Sequence, residues 1–332
     1  MFQPKRKKVG VITSIIVCLV LITSAALIVL FRQRIVDQMT VWQFKPSDQI
    51  SNIAKRDGMS DYGKFLFYAS QPELDAAQYF NSVCSRIETT TSILGCYSNY
   101  RMYIYDVTNT QLDGIREVTA AHETLHAAYV RLGKDEKDKV NVLLEAEYKK
   151  LENNKDFAEL IAFYDRTEPG ERDNELHSVI ATEVVDMAPA LETYYKQYFS
   201  DRQNVVQLYV KYNGVFQDLA TKASSLSDQL TALAKTITDE SAQYNIDAQT
   251  LTQDVTAFDK RAKIGDFTSQ GQFDTERAVL SARITSTNTK SKSINSDIAK
   301  YNAILDEYNS IASQSKKLYN SIDSSLAPAP SV

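Results

Sequence analysis

Thr119-Ala120-Ala121-His122-Glu123-Thr124-Leu125-His126-Ala127-Ala128-Tyr129 holds two of the chain's 3 histidines, four positions apart. Positions i and i+4 of a helix share one face, so both imidazoles reach a single divalent cation if this stretch is helical. Glu123 projects from a neighbouring line. From there its carboxylate takes a proton from a water that the ion activates, without itself ligating the metal. The small residues at 120, 121, 127 and 128 let such a helix pack closely on its neighbours, which suits a helix buried at the centre of a domain. Asp113 offers an N-cap and Gly133 a stop, so the pattern predicts a helix from Asp113 to about Leu132.

Further helices read as Glu136–Leu151, Asp156–Tyr164, Asp173–Met187 and, after Pro189, Leu191–Phe199. A catalytic zinc (Zn2+) site takes three protein ligands and leaves the fourth position open. Asn174-Glu175-Leu176-His177-Ser178-Val179-Ile180-Ala181-Thr182-Glu183 is the source of the third, with Glu175, Glu183 and His177 as candidates. Glu175 and Glu183 lie within about 80° on one side of that helix, and His177 points elsewhere. Each has a plainer reading. Glu175 suits the first turn of a helix through its dipole, Glu183 suits a solvated face, and His177 suits a hydrogen-bonded core position.

His122-Glu123-x-x-His126 followed by a glutamate on a later helix resembles the gluzincin pattern of the HExxH zinc metallopeptidases (zincins), over about residues 100–190. Glu175 followed by Ser178 is similar to the Glu-x-x-Ala/Ser context of that group. The 49-residue separation of His126 and Glu175 is similar to that in anthrax lethal factor and the Mlc titration factor. The resemblance implies an α+β zincin-like catalytic domain with a small sheet, Glu175 as ligand, Glu123 as general base and peptide hydrolysis. It also implies a tyrosine shortly before the ligand glutamate to stabilise the oxyanion. Glu168 holds the closest matching position here and Tyr164 lies further upstream, so Tyr164 is the candidate, with Arg172 and Tyr129 as rivals. Some gluzincins place an aspartate four residues after that glutamate to support a ligand histidine. This chain has Val179 there, leaving Glu183 or Asp186 for the role. Arg101-Met102-Tyr103-Ile104-Tyr105-Asp106-Val107 reads as a strand. In zincins an edge strand runs along the cleft, so an extended substrate would pair with this one beside Tyr103 and Tyr105. An ordinary sheet strand is the other reading.

Val9 to Phe31 contains no charge, and its 23 residues span a bilayer core with some tilt. Lys5, Arg6, Lys7 and Lys8 precede it and Arg32 and Arg34 follow, which predicts a cytosolic tail over 1–8. A cleaved signal peptide is the alternative. The run is long for one, and Ser24, Ala25 and Ala26 lie inside it rather than after it. An uncleaved anchor over 9–31 makes this a single-pass cell-membrane protein with an extracellular catalytic domain. Of 37 basic residues, six fall in the first 34 positions, which carry no acid, so the remainder faces 42 acids with 31 bases. That balance counts against a nucleic-acid partner. Cys84 and Cys96, with 11 residues between them, are expected to oxidise outside the cell, contributing about 2–3 kcal/mol.

The zincin-like domain is expected over 35–200. Beyond Asp201 the texture changes to a polar chain with regularly spaced apolar residues. Leu208, Tyr212, Val215, Leu219 and Leu226 lead, through a four-residue stutter to Leu230, into Leu233, Ile237 and Tyr244. A second arm carries Leu280, Ile284, Thr287, Ser291, Ile294, Ile298, Tyr301, Leu305, Tyr308, Ala312, Ser315 and Tyr319. Gly265 and Gly271 mark a turn between them. These features predict an antiparallel α-helical coiled-coil hairpin over 201–325, its arms on the order of 80–90 Å long, followed by a disordered tail at 326–332. The leading functional expectation is a membrane-anchored zinc metallopeptidase acting on peptide or protein, with the coiled coil open to a partner or to self-association. A scaffolding protein with a degenerate metal site, and zinc-dependent hydrolysis of a non-peptide amide, are the alternatives.

Overall fold

Alanines set the centre of the fold. The computed structural model describes residues 6–84 and 93–326. Its first part forms α1 (Arg6–Leu30), α2 (Arg32–Gln43), α3 (Asp48–Arg56), α4 (Asp61–Ala69), β1 (Glu73–Asp75), α5 (Ala77–Val83), β2 (Gly95–Ser98) and β3 (Arg101–Tyr105). There follow α6 (Ile115–Tyr129), α7 (Lys134–Leu151), α8 (Lys155–Thr167), α9 (Arg172–Glu183) and α10 (Pro189–Tyr195). Two long helices, α11 (Gln203–Ile264) and α12 (Gln270–Ile322), complete the chain. The expected tail at 326–332 lies outside the described residues except for Leu326, and the cytosolic segment 1–8 does so for residues 1–5.

Ala120, Ala121 and Ala127 are fully buried, and α6 lies against α9, whose Leu176, Val179, Ile180 and Ala181 are equally closed to solvent. Helix α6 starts at Ile115 with Gly114 as its N-cap, not Asp113. Gly114 takes φ +108°, a conformation that disfavours any side chain, and Asp113 is drawn instead to Arg56 at 2.9 Å and Lys211 at 2.6 Å. Helix α9 stops at Glu183 rather than Met187 because buried Arg202 collects the carbonyls of Ala181, Val184 and Val185. The guanidinium takes over the role that a further helical turn would have filled.

The sheet overturns the expected edge. Its order is β1-β3-β2, so Arg101–Tyr105 is central, parallel to β1 and antiparallel to β2. Among the described residues, the unpaired edge beside α6 is therefore β2. Asn99 and Tyr100 close the β2–β3 hairpin with positive φ at both positions, as a two-residue turn requires. Arg131 stacks on Tyr100 and bonds the Tyr97 hydroxyl at 2.6 Å. The same guanidinium grips Asp37 of α2 with two bonds of 2.8 Å, both side chains nearly buried. Helix α2, which follows α1 directly, is thus fixed to the end of α6 by a pair whose disruption costs about 3–5 kcal/mol. Cys84, after α5, and Cys96 of β2 form a disulfide.

On β1, Asp75 is 9% exposed and its Oδ2 has no partner. Burial, reinforced by Glu73, pushes its carboxyl from 3.8 up to about 6. A raised carboxyl stabilises the fold when protonated, and this contribution is lost as pH rises through about 6. Asp75→Asn is therefore expected to raise Tm more at pH 7.5 than at pH 5, read by thermal denaturation of parent and variant at both values.

The chain divides into two compact units, one of residues 1–215 with 319–332 and the other Phe216–Leu318. The first turns of α11 and the end of α12 thus belong to the first unit, so the boundary falls inside both helices rather than ahead of α11. Ser324, nearly closed to solvent, clasps Asn81 of α5 through two hydrogen bonds of 2.9 and 2.6 Å. Within the second unit, Arg261–Glu276, Asp254–Arg283 and Asp247–Lys290 pair α11 with α12. Each step of seven residues down one helix meets a step of seven up the other, which is an antiparallel heptad register. Leu219, Leu226, Leu251 and Ile294 are buried in the seam. Toward the end of α12 the seam runs one position earlier than expected, through Ile311 and Leu318 rather than Ala312 and Tyr319. The larger aliphatic side chains take the inward positions. Helix α1 is long and apolar enough to cross a membrane over Thr13–Leu30, with mean hydropathy 2.7, a character shared by signal sequences.

Candidate metal centre

Helix α6 brings its two imidazoles together as the four-residue spacing demands: the Nε2 atoms of His122 and His126 stand 3.0 Å apart. Ligand atoms of His122, Glu123 and His126 all fall within 4.8 Å of one another, a group able to hold a metal ion. Helix α9 brings Glu175 across to the same point. Its carboxylate oxygens lie 3.3 Å from His126 Nε2 and 3.6 Å from His122 Nε2. Glu175 is 1% exposed, and neither of its oxygens has a hydrogen bond of good geometry. Burial works to raise its carboxyl, but the imidazoles of His126 and His122 outweigh that and hold it below the ordinary value. A buried carboxylate with two unsatisfied oxygens is costly unless a cation sits beside it. The donor set of two imidazoles and one carboxylate fits zinc.

The tautomer of His126 follows from its neighbours. Asn174 gives its amide nitrogen to Glu171 at 3.1 Å, which turns Asn174 Oδ1 toward His126 Nδ1, 3.0 Å away. Nδ1 must then carry the proton, and Nε2 presents a lone pair toward His122 and Glu175. Ser178 Oγ stands 3.3 Å from the same Nδ1. Asn174 and Ser178 thus support His126, the role expected of Glu183 or Asp186. Asn174→Ala is expected to weaken the binding of a divalent metal ion by about 10–100-fold, measured by competition with a chromophoric chelator.

The cleft around these groups has a volume of about 460 Å³. Strand β2 forms one wall, α8 and α9 another, and Tyr212 from the foot of α11 a third. Glu123 is 6% exposed, and burial, aided by Glu175 and Glu168 and opposed by His126, pushes its carboxyl up to about 8. Tyr164 lines the cleft, its ring 6.3 Å from that of His122. Burial and the acids around it hold the phenol well above its ordinary range, so the hydroxyl keeps its proton. Glu183 also lines the cleft, and burial raises its carboxyl above the ordinary value.

Other candidates lie elsewhere. His177 is fully buried, with Nε2 3.0 Å from the Tyr194 hydroxyl and Tyr129, Tyr195 and Tyr198 packed around its ring. Arg172 pairs with Glu145 and Asp165 over the Tyr148 ring, and the Tyr129 hydroxyl bonds Asn141. Sequence reasoning missed Gly95. A Cβ placed there falls 2.6 Å from Glu123 Oε1 and 2.6 Å from Thr119 Cγ2. Only the position of Asn174 one residue before the candidate ligand was a usable signal for its role. For Gly95 and Tyr212 the sequence carries none. No family model matches this chain, and neither the curated proteins nor the solved structures contain a match.

Proposed function

We propose that this chain is a membrane-anchored zinc metallopeptidase with its catalytic domain outside the cell. The observation that carries the reading is the buried, unsatisfied carboxylate of Glu175 set against the paired imidazoles of α6. His122, His126 and Glu175 would hold the ion, which supplies Lewis-acid activation of water and of the scissile carbonyl. Glu123 takes the proton of the attacking water and returns it to the leaving amine. Tyr164 offers its hydroxyl to the developing oxyanion. An extended substrate pairs with the free edge of β2, whose residues line the cleft. The Cys84–Cys96 disulfide supports an oxidising compartment, and the four basic residues ahead of α1 support a cytosolic N-terminus.

The purified full chain in detergent is expected to carry about one zinc per molecule and to cut a peptide library. Chelation abolishes the cleavage and added zinc restores it. A metal-free protein overturns the assignment of the site. Bound zinc without cleavage of any peptide overturns the peptidase and directs attention to other amide bonds.

A further inference from the structure

We infer that the cleft selects peptides with lysine or arginine close to the bond that is cut, an inference that rests on the peptidase reading and deepens it. Five glutamates line the cavity, and among the described residues that line it there is no lysine or arginine. Glu123 and Glu175 are committed to proton transfer and to the metal, and their two charges balance a divalent ion. Glu168, Glu171 and Glu183 remain.

No ion pair reaches any of these three from the described residues. Glu171 accepts one bond from Asn174, and no lysine or arginine among the described lining residues neutralises the three. The three are disposed on both sides of the ligand carboxylate. Glu168 and Glu171 are exposed on the turn that enters α9, ahead of Glu175. Glu183 closes α9 two turns beyond it, about 12 Å along the axis. A peptide lying across Glu175 therefore meets acid on either side of its scissile bond. The same cleft is lined by Ile93, Leu94 and Phe163, which add no charge. A concave site of one sign with apolar walls concentrates ligands of the opposite sign and repels like charge.

The test uses the zinc-loaded full chain in detergent and matched peptides differing only in Lys, Gln or Glu within two residues of the cleaved bond. The expected order of kcat/KM is Lys, then Gln, then Glu, with about tenfold between steps at low salt and a narrower gap at high salt. A Glu168→Gln, Glu171→Gln double variant is expected to compress the Lys-to-Glu ratio by about tenfold. That ratio is internal to each protein, so a general loss of activity or folding does not move it. In the Glu123→Gln background, anisotropy of a labelled lysine-rich peptide should show the same dependence on salt and on the two glutamates. Cleavage of all three peptides at equal rates, or preference for the acidic one, overturns this inference and leaves the peptidase standing. Cleavage of nothing removes both.

Discussion

Glu123→Gln is expected to lower kcat/KM for peptide cleavage by about 10³-fold while the protein keeps its zinc. The substitution preserves shape and removes only the ability to accept a proton. Glu123 is nearly buried on α6 between the two histidines in sequence, with β2 pressed against its side chain. Solvent therefore has little room to supply a substitute base. The metal-facing atoms of His122, His126 and Glu175 are untouched, so metal analysis of the variant should match the parent. Steady-state kinetics on one peptide, paired with zinc stoichiometry, separates the roles. Equal loss of zinc and activity would make Glu123 a ligand or a structural support. Retained activity would remove it from the mechanism.

Gly95→Val is expected to cost about 10²-fold or more in kcat/KM with a smaller loss of stability. The first atom of any side chain at 95 overlaps Glu123 Oε1 and Thr119 Cγ2 at 2.6 Å and Glu123 Cγ at 2.8 Å. Either the strand retreats from α6 or Glu123 is pushed off its line. Overpacking of this kind costs about 1–3 kcal/mol. A displacement of the base by about 1 Å is worth roughly 10²-fold in rate. Strand β2 is held by the disulfide and by its four paired positions with β3, so part of the strain reaches Glu123 rather than the strand. Circular dichroism melts alongside kinetics distinguish the cases. Parental activity in a folded Gly95→Val protein would show that the β2 wall is not rigid.

Local periodicity made α6 and α9 legible, because a helix repeats its face every three to four residues and both helices carry their chemistry on that period. The hairpin was legible for the same reason, since its heptads repeat many times. What the sequence concealed depends on distant pairing. Glu73–Asp75 and Gly95–Ser98 are too short to show alternation, and only their pairing with Arg101–Tyr105 makes them strands. Without them, the central strand looked like an edge. Asp113 looked like a helix cap because nothing nearby announced Arg56 and Lys211 as its partners. Asn174 and Gly95 matter through what lies across the cleft, and that is a property of the packed chain. The ends of α12 misled for a smaller reason: Ile311 and Ala312, like Leu318 and Tyr319, are adjacent apolar residues, and the period alone does not choose between them.

The clasp between Asn81 and Ser324 joins residues 243 positions apart. The whole of Phe216–Leu318 is therefore an insertion within the first unit rather than an appendage to it. During synthesis, helix α5 emerges early and waits for its cover until the ribosome has made both long helices. Closing so distant a contact is slow relative to local helix formation. A chain cut anywhere in the insertion is thus an unfinished first unit, not a shortened version of the same protein.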